Sequence, residues 1–144
     1  MSADDLILHY FEDIKEGQSA SLAKTISESD IYLFAGLSMD TNPAHVNEDY
    51  AQTTVFKTRI AHGMLSAGFI SAVLGTRLPG PGAIYVNQSL KFKAPVRIGD
   101  TVTATVTVTG LVPEKKFVTF RTTCTVAGKV VIEGEATVMV PARG

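Results

Sequence analysis

At 144 residues, with 45% hydrophobic and 19% charged side chains, the chain can bury one real core and is too short for two ordinary domains. A formal net charge of −1 leaves no basic excess for a phosphate backbone, which argues against nucleic acid as a partner. Residues 1 to 6 are acidic and lack the basic-then-apolar order of a secretory signal, and no apolar run approaches the roughly 20 residues of a membrane helix, so the expectation is a cytoplasmic protein that does not engage a membrane.

Residues 1–17 carry little periodicity and read as an extended N-terminal arm to a single domain over 1–144, with His9 a surface residue and Glu16-Gly17 a turn. Ser19 to Ile26 is a weak strand, with Ala20, Leu22, Lys24 and Ile26 on one side. Ser27 and Asp30 form a capping-box-like start before Ile31, Phe34, Ala35 and Ser38, whose spacing predicts a helix over 28–37. Asn42-Pro43 then ends any helix, because the proline ring disfavours α geometry in the residue before it, and Ser38 to Asn47 becomes a bent polar loop. Glu48 to Thr53 can form one more helical turn, and Val55 to Ile60 runs extended.

Gly63 to Thr76 has no charge and is apolar nearly all round, which predicts a buried helix. Pro79-Gly80-Pro81-Gly82 stops it. The period then changes. Residues 83–93, 101–111, 117–126 and 130–140 alternate apolar and polar side chains between turn signals, which predicts four long strands in an antiparallel meander. One buried helix followed by such a sheet gives an α+β architecture in which the sheet wraps the helix. Cys124, the only cysteine, falls within that alternation as a buried strand residue, so neither an intrachain disulfide nor a cysteine-cluster metal site is available.

The polar loop carries the chemistry. Asp40 and His45 stand five residues apart around Asn42-Pro43 and read two ways. In the first they build a turn, since Asp and Asn bond nearby backbone and Pro fixes φ. In the second they hold an anion and a group titrating near neutrality on two sides of one water, as general acid–base chemistry requires. His62 reads as a cap or packing residue at the helix entry. Gly63 offers more, because a glycine at a helix N-terminus leaves a free N–H on the positive end of the dipole with no side chain to block a carbonyl. Such an oxyanion donor is worth about 3 kcal/mol to a transition state.

Asp40-Thr-Asn-Pro-Ala-His45 followed by Ala61-His62-Gly63-Met64 resembles the hydratase 2 motif of MaoC-like, (R)-specific enoyl-CoA hydratases. Pro79 to Gly82, Gln88 to Phe92, and Pro95-Val96 with Gly99-Asp100 are similar to that family too, so the resemblance spans about residues 18 to 141. It implies the hot-dog fold, a long central helix wrapped by an antiparallel β-sheet, and reversible (R)-specific hydration of trans-2-enoyl-CoA within fatty-acid metabolism or the supply of polyhydroxyalkanoate precursors. By the same resemblance Asp40 and His45 are the catalytic pair, with Asp40 as base and His45 as acid. Gly63 is the backbone oxyanion donor, Asn42 shapes the loop at the substrate, and Ser71 and Leu74 line the acyl pocket. The resemblance further implies a homodimer, a CoA thioester as substrate, and no metal or other cofactor. Lys91, Lys93, Arg97 and Arg59 are the nearby cations for CoA phosphates, with none assigned. Two positions depart from the family: Met39 stands where a small residue, most often glycine, is usual, and Asn47 where an acidic one is common. The competing functions are an acyl-CoA thioesterase on the same fold and a non-catalytic acyl-thioester-binding subunit.

Overall fold

A computed structural model describes residues 1–144. The elements in order are β1 (Ser19–Thr25), α1 (Glu28–Ser38), α2 (Pro43–Val46), α3 (Glu48–Ala51), α4 (Gly63–Thr76), β2 (Ile84–Gln88), β3 (Lys91–Phe92), β4 (Thr101–Val112), β5 (Phe117–Val126) and β6 (Lys129–Met139). The strands form one antiparallel sheet in the order β1-β4-β5-β6-β2, with β3 also paired to β6. The inner face of the sheet curls around α4, which packs against β4, β1 and β5.

Alternation explains which face is inside. On β4, Val102, Ala104, Val106 and Val108 are buried, while Thr105 and Thr107 lie on the other face and meet the β1 hydroxyls of Ser21 and Ser19 at 2.8 and 3.3 Å. On β5, Val118, Phe120, Thr122 and Cys124 point inward. Cys124 Sγ reaches the Ser66 carbonyl on α4 at 3.5 Å, and burial pushes its thiol up to about 12, so it is inert at neutral pH. The α1 cap forms as the sequence indicates: Ser27 N–H donates to Asp30 Oδ2 and Asp30 N–H donates to Ser27 Oγ, at 2.9 and 3.1 Å.

Five expectations are corrected. Pro43 begins a helix as well as preventing one before it, since its fixed φ and missing N–H suit the first position of α2. Residues 55–58 turn instead of running extended, and Lys57 has φ 65°. The strand over 83–93 is broken at Ser89-Leu90, and both its pieces pair with β6, so the consecutive meander is β4-β5-β6. His9 is half-buried, with Nδ1 3.1 Å from the Pro79 carbonyl. Finally, α4 is buried on one face: Ile70, Val73 and Leu74 face the core, while Met64, Gly68, Ser71 and Gly75 are exposed.

Ser89-Leu90 breaks the strand because it crosses Gly134 of β6. The Ser89 carbonyl oxygen occupies the place a Cβ at position 134 would need. Hydrogen bonds lock the crossing: Ser89 N–H donates to the Glu135 carbonyl at 2.9 Å, and Glu135 N–H donates to Ser89 Oγ at 3.1 Å. Past the crossing, β3 pairs Phe92 with Ile132, and the chain turns across the mouth of the sheet through Lys93 to Val96.

Candidate active site

The polar loop, the N-terminus of α4 and the segment after β3 meet around a cavity of about 400 Å³. Asp40, His62 and Gly63 line one side, and Phe92, Val96 and Ile132 line the apolar remainder. His45 does not line the cavity, but its Nε2 lies 4.0 Å from Asp40 Oδ2. That separation is beyond a hydrogen bond and within the span that one water bridges.

His45 is placed by two hydrogen bonds between α2 and residue 60. Ile60 N–H donates to the Ala44 carbonyl at 3.2 Å, and His45 Nδ1 lies 2.8 Å from the Ile60 carbonyl. Residue 60 is itself held by a β-bridge to Arg97, and Ala61 N–H donates to the Val96 carbonyl at 2.7 Å. Since a carbonyl only accepts, Nδ1 carries the proton, and in the neutral ring Nε2 presents its lone pair toward Asp40. Asp40 sits after Met39, whose φ of 67° ends α1 in the left-handed conformation. That conformation explains why glycine suits position 39. Met39→Gly is expected to stabilise the fold by about 1 kcal/mol, read as a raised urea midpoint at unchanged slope.

The remaining loop residues are structural. Asn42 caps α2, its Oδ1 accepting from Ala44 N–H at 2.9 Å, and its own N–H donates to Asp40 Oδ1 at 3.2 Å. Asn47 caps α3 by accepting from Tyr50 N–H at 3.1 Å, so its departure from an acidic residue keeps the acceptor that matters here. The backbone N–H of Arg59 and the hydroxyl of Thr58 hold the Glu48 carboxyl below the usual carboxylate range. Arg59 is committed to Glu28 at 3.0 Å and Tyr32 at 3.0 Å, which removes it from the free cations around the cleft. Lys93 lines the cavity, 3.3 Å from Glu133.

Gly63 is the first residue of α4, and its N–H has no hydrogen-bond partner in the chain. A Cβ there would stand 2.5 Å from Cε1 of Phe92, so the missing side chain lets the ring of Phe92 pack over the helix entry. Gly63→Val is expected to lower kcat for enoyl-thioester hydration by roughly 10²-fold; an unchanged kcat in steady-state assays would count against the donor role. Ser71 lies on the exposed face of α4 and Leu74 in the core, and neither borders the cavity that Asp40 and Gly63 share.

Of the two readings of His62, cap and packing residue, the structure shows the second. Its imidazole is 2% exposed, makes no cap bond, and places Nε2 2.8 Å from the Asp40 carbonyl. Its ring stacks on His45 with centroids 3.8 Å apart and planes at 26°. Burial pushes the His62 imidazole down from its ordinary value, and the bond to Asp40 only partly opposes this. The available signal was its position: histidine is a poor N-cap where Ser, Thr, Asp or Asn serve well. Asp40, His45 and His62 offer ligand atoms within 4.8 Å of one another, yet near-parallel stacked rings aim their lone pairs along separate planes, which does not suit a shared ion.

A family model for the MaoC like domain matches residues 11–134. The chain is 52% identical over 139 residues to a 3-hydroxybutyryl-CoA dehydratase from Methylorubrum extorquens, covering 96% of this chain and 88% of that protein. It is 44% identical over 131 residues to an (R)-specific enoyl-CoA hydratase from Aeromonas caviae, covering 90% and 98%. Among solved structures, an unliganded R-hydratase from Pseudomonas aeruginosa superimposes with a TM-score of 0.88 at 44% identity, covering 93% of this chain and 86% of that one. With the motif, the wrapped helix and these likenesses in agreement, the chain belongs to the MaoC-like family and has its hot-dog fold.

Proposed function

We propose that the protein adds water to trans-2-enoyl-CoA to give (R)-3-hydroxyacyl-CoA, and catalyses the reverse dehydration. The observation that carries this reading is the 4.0 Å gap between Asp40 Oδ2 and His45 Nε2, beside the unpartnered N–H of Gly63 at one apolar cavity. The names of the hydratase and dehydratase relatives support it.

In this reading the thioester oxygen accepts a hydrogen bond from Gly63 N–H. That bond strengthens as the α-carbon takes on enolate character. A water in the Asp40–His45 gap donates one O–H to each group and turns its oxygen lone pair toward the β-carbon. As the C–O bond forms, one proton leaves the water for Asp40, passes within the pair to His45 Nε2, and is returned by His45 to the α-carbon on the same face, so that both groups end as they began. The two groups act as one coupled site. The balance closes with water and the enoyl thioester alone, so the step calls for no redox or metal co-reactant.

Crotonyl-CoA tests the reading. Loss of enoyl absorbance without release of thiol, with (R)-3-hydroxybutyryl-CoA as product, is the expected result. Thiol release would replace it with thioesterase chemistry, and binding without turnover would replace it with an acyl-thioester-binding role.

A homodimer and a cytoplasmic location belong to the same proposal. No helix is long and apolar enough to cross a membrane. β2 is an edge strand with Ile84, Tyr85 and Val86 exposed at 54%, 42% and 48%, and the charge-free α4 leaves Met64, Gly68 and Ser71 open. An unguarded apolar edge invites pairing with a second copy. Ser71 can meet an acyl chain where that copy covers α4, with Leu74 beneath it. Val86→Lys is expected to turn a dimer into a monomer in light scattering at micromolar concentration; a wild type already monomeric there would remove the proposal.

A further inference from the structure

The hydration scheme uses Asp40, His45 and Gly63 and leaves His62 without a task. His62 is the fully buried imidazole of the chain, and Phe34 packs against it at 4.8 Å. Because the Asp40 carbonyl only accepts, His62 Nε2 must carry a proton. Nδ1 is buried with no partner, so a second proton there would be an unpaired, desolvated charge. His62 is therefore a fixed, neutral, one-ended donor. Three parts of the site converge on it: Asp40 through its main chain, His45 through its ring face, and Gly63 through the peptide bond that joins them.

We propose that His62 is a positioning residue, which holds the Asp40 loop and the His45 ring in register with the N-terminus of α4 by donating to the Asp40 carbonyl and stacking on His45. The inference rests on the hydratase reading. Asp40 follows a left-handed residue, and its own N–H reaches only the Ser38 hydroxyl at 3.2 Å, at the end of α1. The bond from His62 is thus the tether between the Asp40 main chain and α4. The stack sets the rotation of His45 about the Nδ1 bond to Ile60, and so the direction of Nε2. Loss of the tether lets the carboxylate drift from the water that the pair holds, and a displacement of about 1 Å costs on the order of 10²-fold in rate.

Two substitutions separate the contacts. His62→Phe keeps a ring against His45 and removes the donor. His62→Gln restores an amide N–H near Nε2 and leaves one unpaired acceptor, as Nδ1 is in the native side chain. With crotonyl-CoA, His62→Phe is expected to lower kcat by on the order of 10²-fold with KM within about twofold, and His62→Gln to recover about tenfold of that loss. A folded His62→Phe protein with wild-type kcat overturns the proposal, as does a fall shared equally by both variants. Failure of the wild type itself to hydrate overturns the underlying reading. If His62→Phe does not fold, ¹⁵N imidazole spectra of the wild type decide: a neutral His62 protonated at Nε2 supports the assignment, and protonation at Nδ1 near neutral pH overturns it.

Discussion

Asp40→Asn lowers kcat for crotonyl-CoA hydration by about 10³-fold while leaving the thermal midpoint close to wild type, within the range that loss of a general acid or base produces. The fold should tolerate the change because the Asn carbonyl oxygen can still accept from Asn42 N–H, the 3.2 Å bond that shapes the loop. What disappears is the proton acceptor facing His45 Nε2. His45→Gln is expected to fall as far, with some added loss of stability of about 1 kcal/mol from the broken bond to the Ile60 carbonyl. His45→Asn separates the two effects, since its amide nitrogen lies near the Nδ1 position and can keep that bond. Steady-state kinetics with circular-dichroism melts checks all three. Near-wild-type turnover in a folded variant would remove that residue from the proton transfers.

The largest expected effect on stability is at Gly134, a residue with no side chain of its own in the cavity. Gly134→Ala places a methyl group where the Ser89 carbonyl oxygen lies, and that oxygen is backbone, so no rotamer change relieves the clash. The Ser89–Glu135 bonds must open for the 89–90 segment to lift. We expect a loss of about 3 kcal/mol or more, equivalent to a fall in melting temperature of roughly 10 °C. The displaced segment leads directly into Phe92, which pairs with Ile132 at the cavity wall. Gly134→Ala should therefore also raise KM for the enoyl thioester. A midpoint unchanged by the substitution would show that the crossing yields more easily than its hydrogen bonds indicate.

Local signals made much of this legible. The Ser27–Asp30 box marked the start of α1, the charge-free run marked α4 with its ends at 63 and 76, and alternation between turn signals marked β4, β5 and β6. Residue type and position marked Asp40, His45 and Gly63 as candidates, the pair read two ways until the family resemblance gave it a role, and the fold places Asp40 and Gly63 at one cavity with His45 4.0 Å from Asp40. The misses share a cause: they depend on partners distant in the chain. Nothing in Gln88 to Lys91 announces that the strand must rise over Gly134, and nothing in residues 83–93 announces pairing with β6 in place of β4. The small residues on α4 do not say which face stays open. Pro43 reads as a stop because its effect on the preceding residue is the stronger local rule, although its own φ suits a new turn. His62 shows the same limit, since its significance lies in a carbonyl 22 positions earlier.

The absence of a side chain at residue 63 serves two purposes, exposing the amide and seating the ring of Phe92. These purposes constrain different positions if the cavity is to be re-shaped for a bulkier acyl thioester. Enlarging residue 63 would obstruct the donor before it altered the wall, whereas trimming residue 92, which is 54% exposed and contributes no polar atom from its side chain, would widen the cavity and leave the amide in place. A change at residue 92 thus re-shapes the cavity through β3, a two-residue strand, and leaves Asp40, His45 and Gly63 untouched.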